Sequence, residues 1–273
     1  MKKQLIFILL FANAISAFSQ IPPDEFFKGL DLLNIDTKKA KKEFQIALNK
    51  DTSYHGTYHF LGVIYLYENK IDSAITCFKQ SIILNTENVN HTREMTYVRL
   101  INTYLYKHDF LNSFNIAWEA YQLYPENNAI ERNLKDVCLW SFYINHNGLD
   151  SSYLTSEIKD EYLVNSIPEE YLIIRKIRID DHYLIFNSQK LIKKKKVNYD
   201  IISCNISKSN KTIDVKFRLN WDLNKYFGGK VVNTDDIYSD SELAIYERVG
   251  ALLVSDSKIN LKKEVKKIIK DEK

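Results

Sequence analysis

The 273-residue chain has few cysteines and lacks the glycine- and serine-centred motifs of common enzymes. Its three cysteines, Cys77, Cys138 and Cys204, are an odd number, so at least one is unpaired, and we expect inert, buried thiols. No glycine-rich phosphate loop is present, because Gly228-Gly229 alone indicates only a turn, and no serine nucleophile elbow occurs. The sequence therefore offers no motif for nucleotide binding or for serine hydrolysis.

Histidines provide the remaining candidates for chemistry. His55 and His59 are four residues apart on a predicted helix and can share a metal ion, but nothing nearby resembles a third ligand. His182 follows Asp180-Asp181, yet this group lies in a predicted hairpin without a nucleophile pattern. We therefore expect a chance pair and a turn here, and we predict no catalytic residue, no metal site and no cofactor.

Aromatic, apolar and small residues recur at helical spacing between Tyr58 and Thr86, which predicts two packed helices joined by a turn near Asn69-Lys70. Residues three and four apart share one face of a helix. Gly62 within the first helix costs about 1 kcal/mol relative to alanine, which indicates that a close helix approach compensates. The shared faces consist of Tyr58, Leu61, Gly62 and Tyr65 on the first helix and Ala74, Phe78 and Ser81 on the second.

The same pattern recurs on both sides of this segment. At an offset of 34 residues upstream, the second helix is matched by Ala40, Phe44, Ala47 and Thr52. Lys28 falls at the position of Gly62, so the first helix matches less well. Downstream, after a five-residue insertion around 89–93, the matching residues are Tyr97, Leu100, Tyr104, Ser113, Ala117, Ala120 and Pro125. Ala117 replaces Phe78, and we expect the adjacent Trp118 to supply the missing bulk.

Over residues of about 21–143 the pattern resembles the tetratricopeptide repeat, a helix–turn–helix unit of about 34 residues. The resemblance implies an α-solenoid in residues 20–150. Repeat arrays need a terminal helix to cover the last exposed face. The helical period over 128–143 therefore indicates either this cap or the first helix of a degenerate fourth unit.

The resemblance also implies a site, because the first helices of such repeats line a concave groove that holds a partner segment. Aromatic, Arg and Asn side chains are good interface anchors, since they bury a large area and keep a polar tip. The predicted groove residues are His59, Val63, Leu66, Tyr67, Asn102, Leu105, Tyr106, Arg132, Asp136 and Trp140. Tyr67 and Tyr106 fall at matching positions of two units.

The N-terminus is typical of a secretory signal. Lys2 and Lys3 precede an apolar run over 5–11, and Ala17-Phe18-Ser19 forms a small-x-small cleavage site before Gln20. The apolar run is too short for a stable membrane span. We therefore expect residues 1–19 to be a signal peptide and the mature chain to be exported to a bacterial periplasm or secreted.

The C-terminal part differs from the helical part in charge and in period. Residues 20–167 carry 14 basic and 19 acidic side chains, whereas residues 168–273 carry 22 and 16. We predict a linker or short helix over 151–167 and a small α+β domain over 168–273 with an antiparallel sheet. Its predicted strands are 171–179, 182–186, 200–206 and 211–219, followed by a helix that starts at a capping box over 239–242 and a basic helix over 260–270.

A basic surface is the main feature of this C-terminal part. It comprises Lys193, Lys194, Lys195, Lys196, Lys262, Lys263, Lys266 and Lys267. The mature chain is near neutral, so its total charge indicates no nucleic-acid partner. We predict a non-catalytic adaptor that holds a protein or peptide partner in the groove. The alternative is an envelope-associated structural protein whose basic surface contacts anionic membrane or cell-wall polymer.

Overall fold

The computed structural model describes residues 21–155, 157–180, 182–194, 197–219 and 239–271, and the predicted signal peptide lies outside them. The chain forms two compact units, the first ending at Leu100 and the second beginning at Ile101. This division does not coincide with the predicted boundary at 150–168. Within the described ranges, no helix is long and apolar enough to cross a membrane.

The first unit is helical throughout its described part. Helices α1 and α2 form one packed pair, and α3 and α4 form a second pair, with α2 also contacting α3. The Asp36 carboxylate caps α2 by accepting a hydrogen bond from the Lys39 amide at 3.0 Å. The helices are α1 (Asp24–Leu32), α2 (Thr37–Lys50), α3 (His55–Tyr67), α4 (Ile71–Leu84) and the start of α5 (Thr92–Tyr106).

Each helix pair of the first unit is joined through a glycine and an aromatic ring. A Cβ at Gly62 would lie 2.6 Å from Cε1 of Phe78, and a Cβ at Gly29 would lie 2.7 Å from Cε1 of Phe44. The weak match at Lys28 is therefore corrected, since the equivalent glycine is the next residue. Helix α1 ends three residues after its glycine, whereas α3 ends five residues after its own. The loop between α1 and α2 is one residue longer than the loop between α3 and α4. The distance from the glycine to the second helix is therefore one residue shorter in the first pair, and a fixed offset of 34 residues misplaces the glycine by one.

The second unit combines helices with a sheet. Its helices are the end of α5, α6 (Phe110–Leu123), α7 (Asn128–Asn147), α8 (Ile167–Lys176), α9 (Ile245–Ser255) and α10 (Leu261–Asp271). Asp109 and Asn127 cap α6 and α7 by accepting backbone amide hydrogen bonds. Helix α7 ends at Asn147, and the next residue, Gly148, has a φ of 72° that suits a residue without a Cβ.

Helix α9 packs antiparallel against α7, although about a hundred residues separate them. A Cβ at Gly250 would overlap the Cys138 carbonyl oxygen and lie 2.8 Å from Cβ of Phe142. At the other end, the Asn145 amide donates to the Glu247 carboxylate at 2.7 Å. Helix α7 is therefore covered by α9, and the sheet is built from the chain between them.

The sheet has five strands in the order β1-β5-β4-β3-β2. They are β1 (Tyr162–Val164), β2 (Arg178–Ile179), β3 (His182–Lys194), β4 (Val197–Ile206) and β5 (Thr212–Leu219). Helix α8 contacts β1 and β3. One face of the sheet is buried, with Ile202, Val215 and Phe217 fully enclosed, while the neighbouring residues of β4 and β5 on the other face are half-buried or exposed.

The predicted combination of a helical N-terminal part and a C-terminal sheet is confirmed, but the sheet is mixed. The antiparallel prediction is wrong because β1 pairs in parallel with β5. Residues 171–176 belong to α8, since Pro168 starts a helix and Glu169 and Glu170 occupy its first turn. Strand β1 lies within the linker or short helix predicted over 151–167, and α9 begins at Ile245, later than its predicted capping box.

Candidate functional site

The predicted groove residues of the first unit divide into buried and exposed side chains. His59 and Val63 are buried, Leu66 is half-buried, and Tyr67 leaves 59% of its surface exposed. His59 accepts or donates a hydrogen bond through Nδ1 to Thr96 Oγ1 at 2.8 Å and packs edge-on against Phe60. The assignment of His59 and Val63 to a partner surface is therefore corrected, because both side chains are buried.

Burial determines the charge state of His59. Desolvation, together with the smaller effects of the nearby Arg99 and His55, lowers the pKa of His59 to about 4. Burial likewise lowers the pKa of His55. Among the described residues, no group of three or more His, Cys, Asp or Glu side chains is placed to hold a metal ion. The His55–His59 pair is therefore a neutral part of the helical core.

The first unit should lose stability in mild acid through His59. In the unfolded chain this histidine has a pKa of 6.5 and binds a proton below that pH, whereas in the folded chain it stays neutral down to about pH 4. Because the unfolded state binds the proton first, the free energy of unfolding falls as the pH falls from 6.5 towards 4. Between pH 7.5 and pH 5 we expect a loss of about 2 kcal/mol from this group. Urea denaturation followed by circular dichroism at both pH values, for the parent and a His59→Gln variant, measures it as a difference.

Comparison with the variant is needed because Glu169 acts in the opposite direction. Burial raises the pKa of Glu169 to about 7, so this group adds stability as the pH falls from 7 towards 4.5. Its contribution is common to parent and variant and cancels in the difference. An equal pH response of the two proteins would contradict the neutral, buried state of His59.

The predicted groove residues of the second unit divide in the same way. Leu105, Asp136 and Trp140 are buried, whereas Tyr106 leaves 45% of its surface exposed. Arg132 is exposed and Asn102 is half-buried. Leu105 and Trp140 belong to the apolar core, so their assignment to a partner surface is corrected. Asp136 is corrected as well, because its carboxylate binds a side chain of the same unit.

The end of α8 binds two of the predicted groove residues. Arg175 Nη2 donates to Asp136 Oδ1 at 2.7 Å, and Lys176 Nζ donates to Asn102 Oδ1 at 2.5 Å. Asn102 in turn donates to Asn133 Oδ1 at 2.5 Å. Burial lowers the pKa of Lys176 to about 8, an effect that Asp136 opposes. Asn102 and Asp136 therefore bind the chain's own cations.

Sequence analysis missed a second group of polar residues, three buried carboxyl groups between α8 and the sheet. Glu169 is fully buried and accepts hydrogen bonds from the Asn165 amide at 2.6 Å and from the Asn147 side chain. Glu170 and Asp200 are also buried and in hydrogen-bond contact, and Gln189 donates to Asp200. Burial raises the pKa of Asp200, which is consistent with a proton shared between the two carboxyl groups.

These carboxyl groups are placed to join elements rather than to meet a substrate. Glu169 links the start of α8 to Asn147 at the end of α7, and Glu170 links α8 to β4. None of the three side chains leaves more than 1% of its surface exposed. The only sequence signal was the Pro-Glu-Glu sequence at 168–170, which is typical of a helix start.

The basic surface is exposed where the structure describes it. Lys193 and Lys194 lie at the end of β3, and Lys262, Lys263, Lys266 and Lys267 lie on α10, whose apolar residues Leu261, Val265 and Ile268 are buried. Lys195 and Lys196 lie outside the described residues.

All three cysteines are free thiols. Cys138 and Cys204 are buried and Cys77 is half-buried. Burial raises the pKa of Cys77 and that of Cys204 to about 11, and it raises the pKa of Cys138 still further. These thiols are therefore protonated and weakly nucleophilic at neutral pH.

Comparison with known proteins adds no family to these observations. No protein-family model matches the chain, and no curated protein matches it.

Proposed function

We propose that the chain is an exported, non-catalytic adaptor in which tetratricopeptide-like helix pairs hold a segment of a partner protein. The repeated glycine–aromatic contacts support the repeat assignment, since Gly29 meets Phe44 as Gly62 meets Phe78. The turns after α3 and α5 support it too. Each contains one left-handed residue, Asn69 with φ 55° and His108 with φ 60°, at the same distance from the helix end.

The exposure of Tyr67 and Tyr106 carries this proposal. Each is the last residue of its helix, and each leaves about half of its surface exposed, although most other predicted groove residues are buried. An exposed tyrosine offers a large apolar ring and a polar hydroxyl at a low cost in side-chain entropy, which favours contact with a partner. Tyr67 lies in the first unit and Tyr106 in the second, so each unit offers one exposed tyrosine.

A pull-down from envelope extract tests this function. The bait is the expected mature chain, residues 20–273, and a Tyr67→Ala/Tyr106→Ala variant is compared by quantitative mass spectrometry. We expect at least one partner to be retained by the parent and depleted about tenfold or more with the variant, because interface tyrosines often contribute more than 1 kcal/mol each. Circular dichroism establishes that the variant is folded.

The matched control is an Ile83→Ala/Leu123→Ala variant. These two apolar side chains are also exposed, but they lie near the ends of the second helices, α4 and α6. The control should retain the partner. Equal capture by all three proteins would contradict the groove and favour the basic surface, in which case charge reversal at Lys262, Lys263, Lys266 and Lys267 should abolish envelope association.

A further inference from the structure

Within the described ranges, most of the outer edge of strand β3 has no partner strand. It extends over 13 residues, from His182 to Lys194, and β2 pairs only with His182 and Tyr183. From Leu184 onwards, its partner among the described residues is β4 alone. An edge strand of this length presents a row of backbone donors and acceptors that can pair with another extended chain.

The exposed side chains of β3 are apolar at the start and basic at the end. Tyr183, Ile185, Phe186 and Leu191 are exposed, and the exposed lysines Lys190, Lys193 and Lys194 follow or flank Leu191. The strand contains no Asp or Glu. Within the described part of the chain, no ion pair joins these lysines to a carboxylate.

Both sides of the strand carry this combination. The pairing with β4 places Phe186, Leu191 and Lys193 on the same side of the sheet as the buried residues Cys204 and Asp200. Ile185, Lys190 and Lys194 lie on the opposite side, after a register shift between Phe186 and Ser188. A chain added along this edge would therefore meet mainly apolar groups beside the start of β3 and cations on both faces of the sheet beside its end.

The charge identifies the kind of chain that fits. A second copy of β3 would bring the same three lysines and no carboxylate, so the two edges would repel each other. Lysines on an edge strand disfavour this kind of pairing between identical strands. A segment with Asp or Glu at alternate positions would pair its carboxylates with lysines on one side, and its backbone would satisfy the open edge.

We propose that the outer edge of β3 binds an extended acidic peptide segment of a partner protein as a sixth strand of the sheet. Main-chain hydrogen bonds hold the segment, and Lys190, Lys193 and Lys194 select its charge. The binding surface lies outside the predicted groove, so the chain would have two separate protein-binding surfaces.

Fluorescence anisotropy with labelled peptides of about eight residues, the length of an ordinary strand, tests the proposal on the full mature chain. The probe alternates valine with glutamate, and its matched controls alternate valine with glutamine or with lysine. A fourth peptide has the same side chains but every backbone amide nitrogen is methylated, which removes the backbone donors on both edges of the strand without changing charge. We expect the glutamate peptide to bind, the glutamine peptide to bind about tenfold more weakly, and the lysine and N-methylated peptides to show no binding.

Variants of the protein locate the binding. A Lys190→Glu/Lys193→Glu/Lys194→Glu variant should bind the glutamate peptide at least about tenfold more weakly. The matched variant Lys262→Glu/Lys263→Glu/Lys266→Glu, with the same charge change on α10, should bind it as the parent does. Equal binding of the N-methylated peptide, or equal weakening by both variants, would overturn strand addition in favour of general charge attraction. Absence of peptide binding, with anionic phosphatidylglycerol vesicles bound through these lysines, would assign β3 to a lipid surface.

Discussion

Replacing Gly250 with alanine is expected to lower the free energy of unfolding of the second unit by about 3 kcal/mol. The added Cβ would overlap the Cys138 carbonyl oxygen and press against Phe142, and a backbone carbonyl cannot rotate away as a side chain can. Helix propensity alone predicts the opposite sign, because alanine in a helix is favoured over glycine by about 1 kcal/mol. A loss of stability therefore measures the contact between α7 and α9.

Urea denaturation followed by tryptophan fluorescence measures this loss. No tryptophan precedes Ile101, and Trp140 is fully buried in α7, so tryptophan fluorescence reports on the second unit. The control is Ser255→Ala at the exposed end of the same helix, which should change stability by no more than about 0.5 kcal/mol. A neutral or stabilising Gly250→Ala substitution would show that α9 is not held this closely against α7.

The position of α9 also shows what the sequence could not predict. The helical period identified α9 approximately, but a helix with one apolar face does not indicate which distant helix will cover it. Its partner, α7, was interpreted as a cap or as part of a fourth unit, and the structure covers it with α9, about a hundred residues further along the chain. Tertiary packing determines which helix covers α7, whereas the boundary predicted at 150–168 rests on the change in composition along the sequence.

The sequence predicted helices and strands well only where the hydrophobic period agreed with the cap and turn residues at the ends of the segment. Helices α2 to α6 follow the repeated apolar pattern, and β5 follows strict alternation from Ile213 to Leu219. Helix α8 was mistaken for a strand because its short apolar run at 171–174 fits either structure, and periodicity alone cannot separate them over this length. Pro168 and the two glutamates after it were the better evidence.

The candidate site was predicted in part, for a related reason. A helical period assigns residues to a face, but the exposure of that face depends on which neighbours cover it. Tyr67 and Tyr106, at the ends of their helices, are exposed, whereas His59 and Trp140, nearer the middle of theirs, are buried. The buried carboxyl groups of Glu169 and Glu170 were missed, because the Pro-Glu-Glu sequence at 168–170 was not recognised as the start of a helix.

Replacing Phe78 with alanine is expected to destabilise the first unit by about 4 kcal/mol. The ring is fully buried and lies against Gly62, so the substitution removes its apolar contacts and leaves a cavity between α3 and α4. The first unit contains no tryptophan, so hydrogen exchange of the α3 and α4 amides is the appropriate measurement. Protection in these helices should fall to match the loss of stability.

The third helix pair provides a way to restore part of this loss. In the third pair, Ile101 occupies the position of Gly62 and Ala117 that of Phe78, and both are fully buried. The large residue therefore lies on the first helix and the small residue on the second, the reverse of the Gly62–Phe78 arrangement. This exchange corrects the expectation that Trp118 supplies the bulk missing at Ala117, since Trp118 is half-buried and packs against Tyr121. The equivalence of the pairs then predicts how a Gly62→Ile substitution will behave.

Gly62→Ile alone should destabilise the first unit by overlap with the Phe78 ring, but in the Phe78→Ala background it should fill the cavity. We expect the double variant to lose about 2 kcal/mol less free energy of unfolding than the sum of the losses of the two single variants. This difference is within the range of coupling between residues in contact. The control adds Gly29→Ile to Phe78→Ala, which places the same side chain against Phe44 and not at the cavity. That pair should give additive losses or nearly so. Additive losses for Gly62→Ile as well would mean that Ile101 and Ala117 do not occupy equivalent positions, and the repeat assignment would lose its third unit.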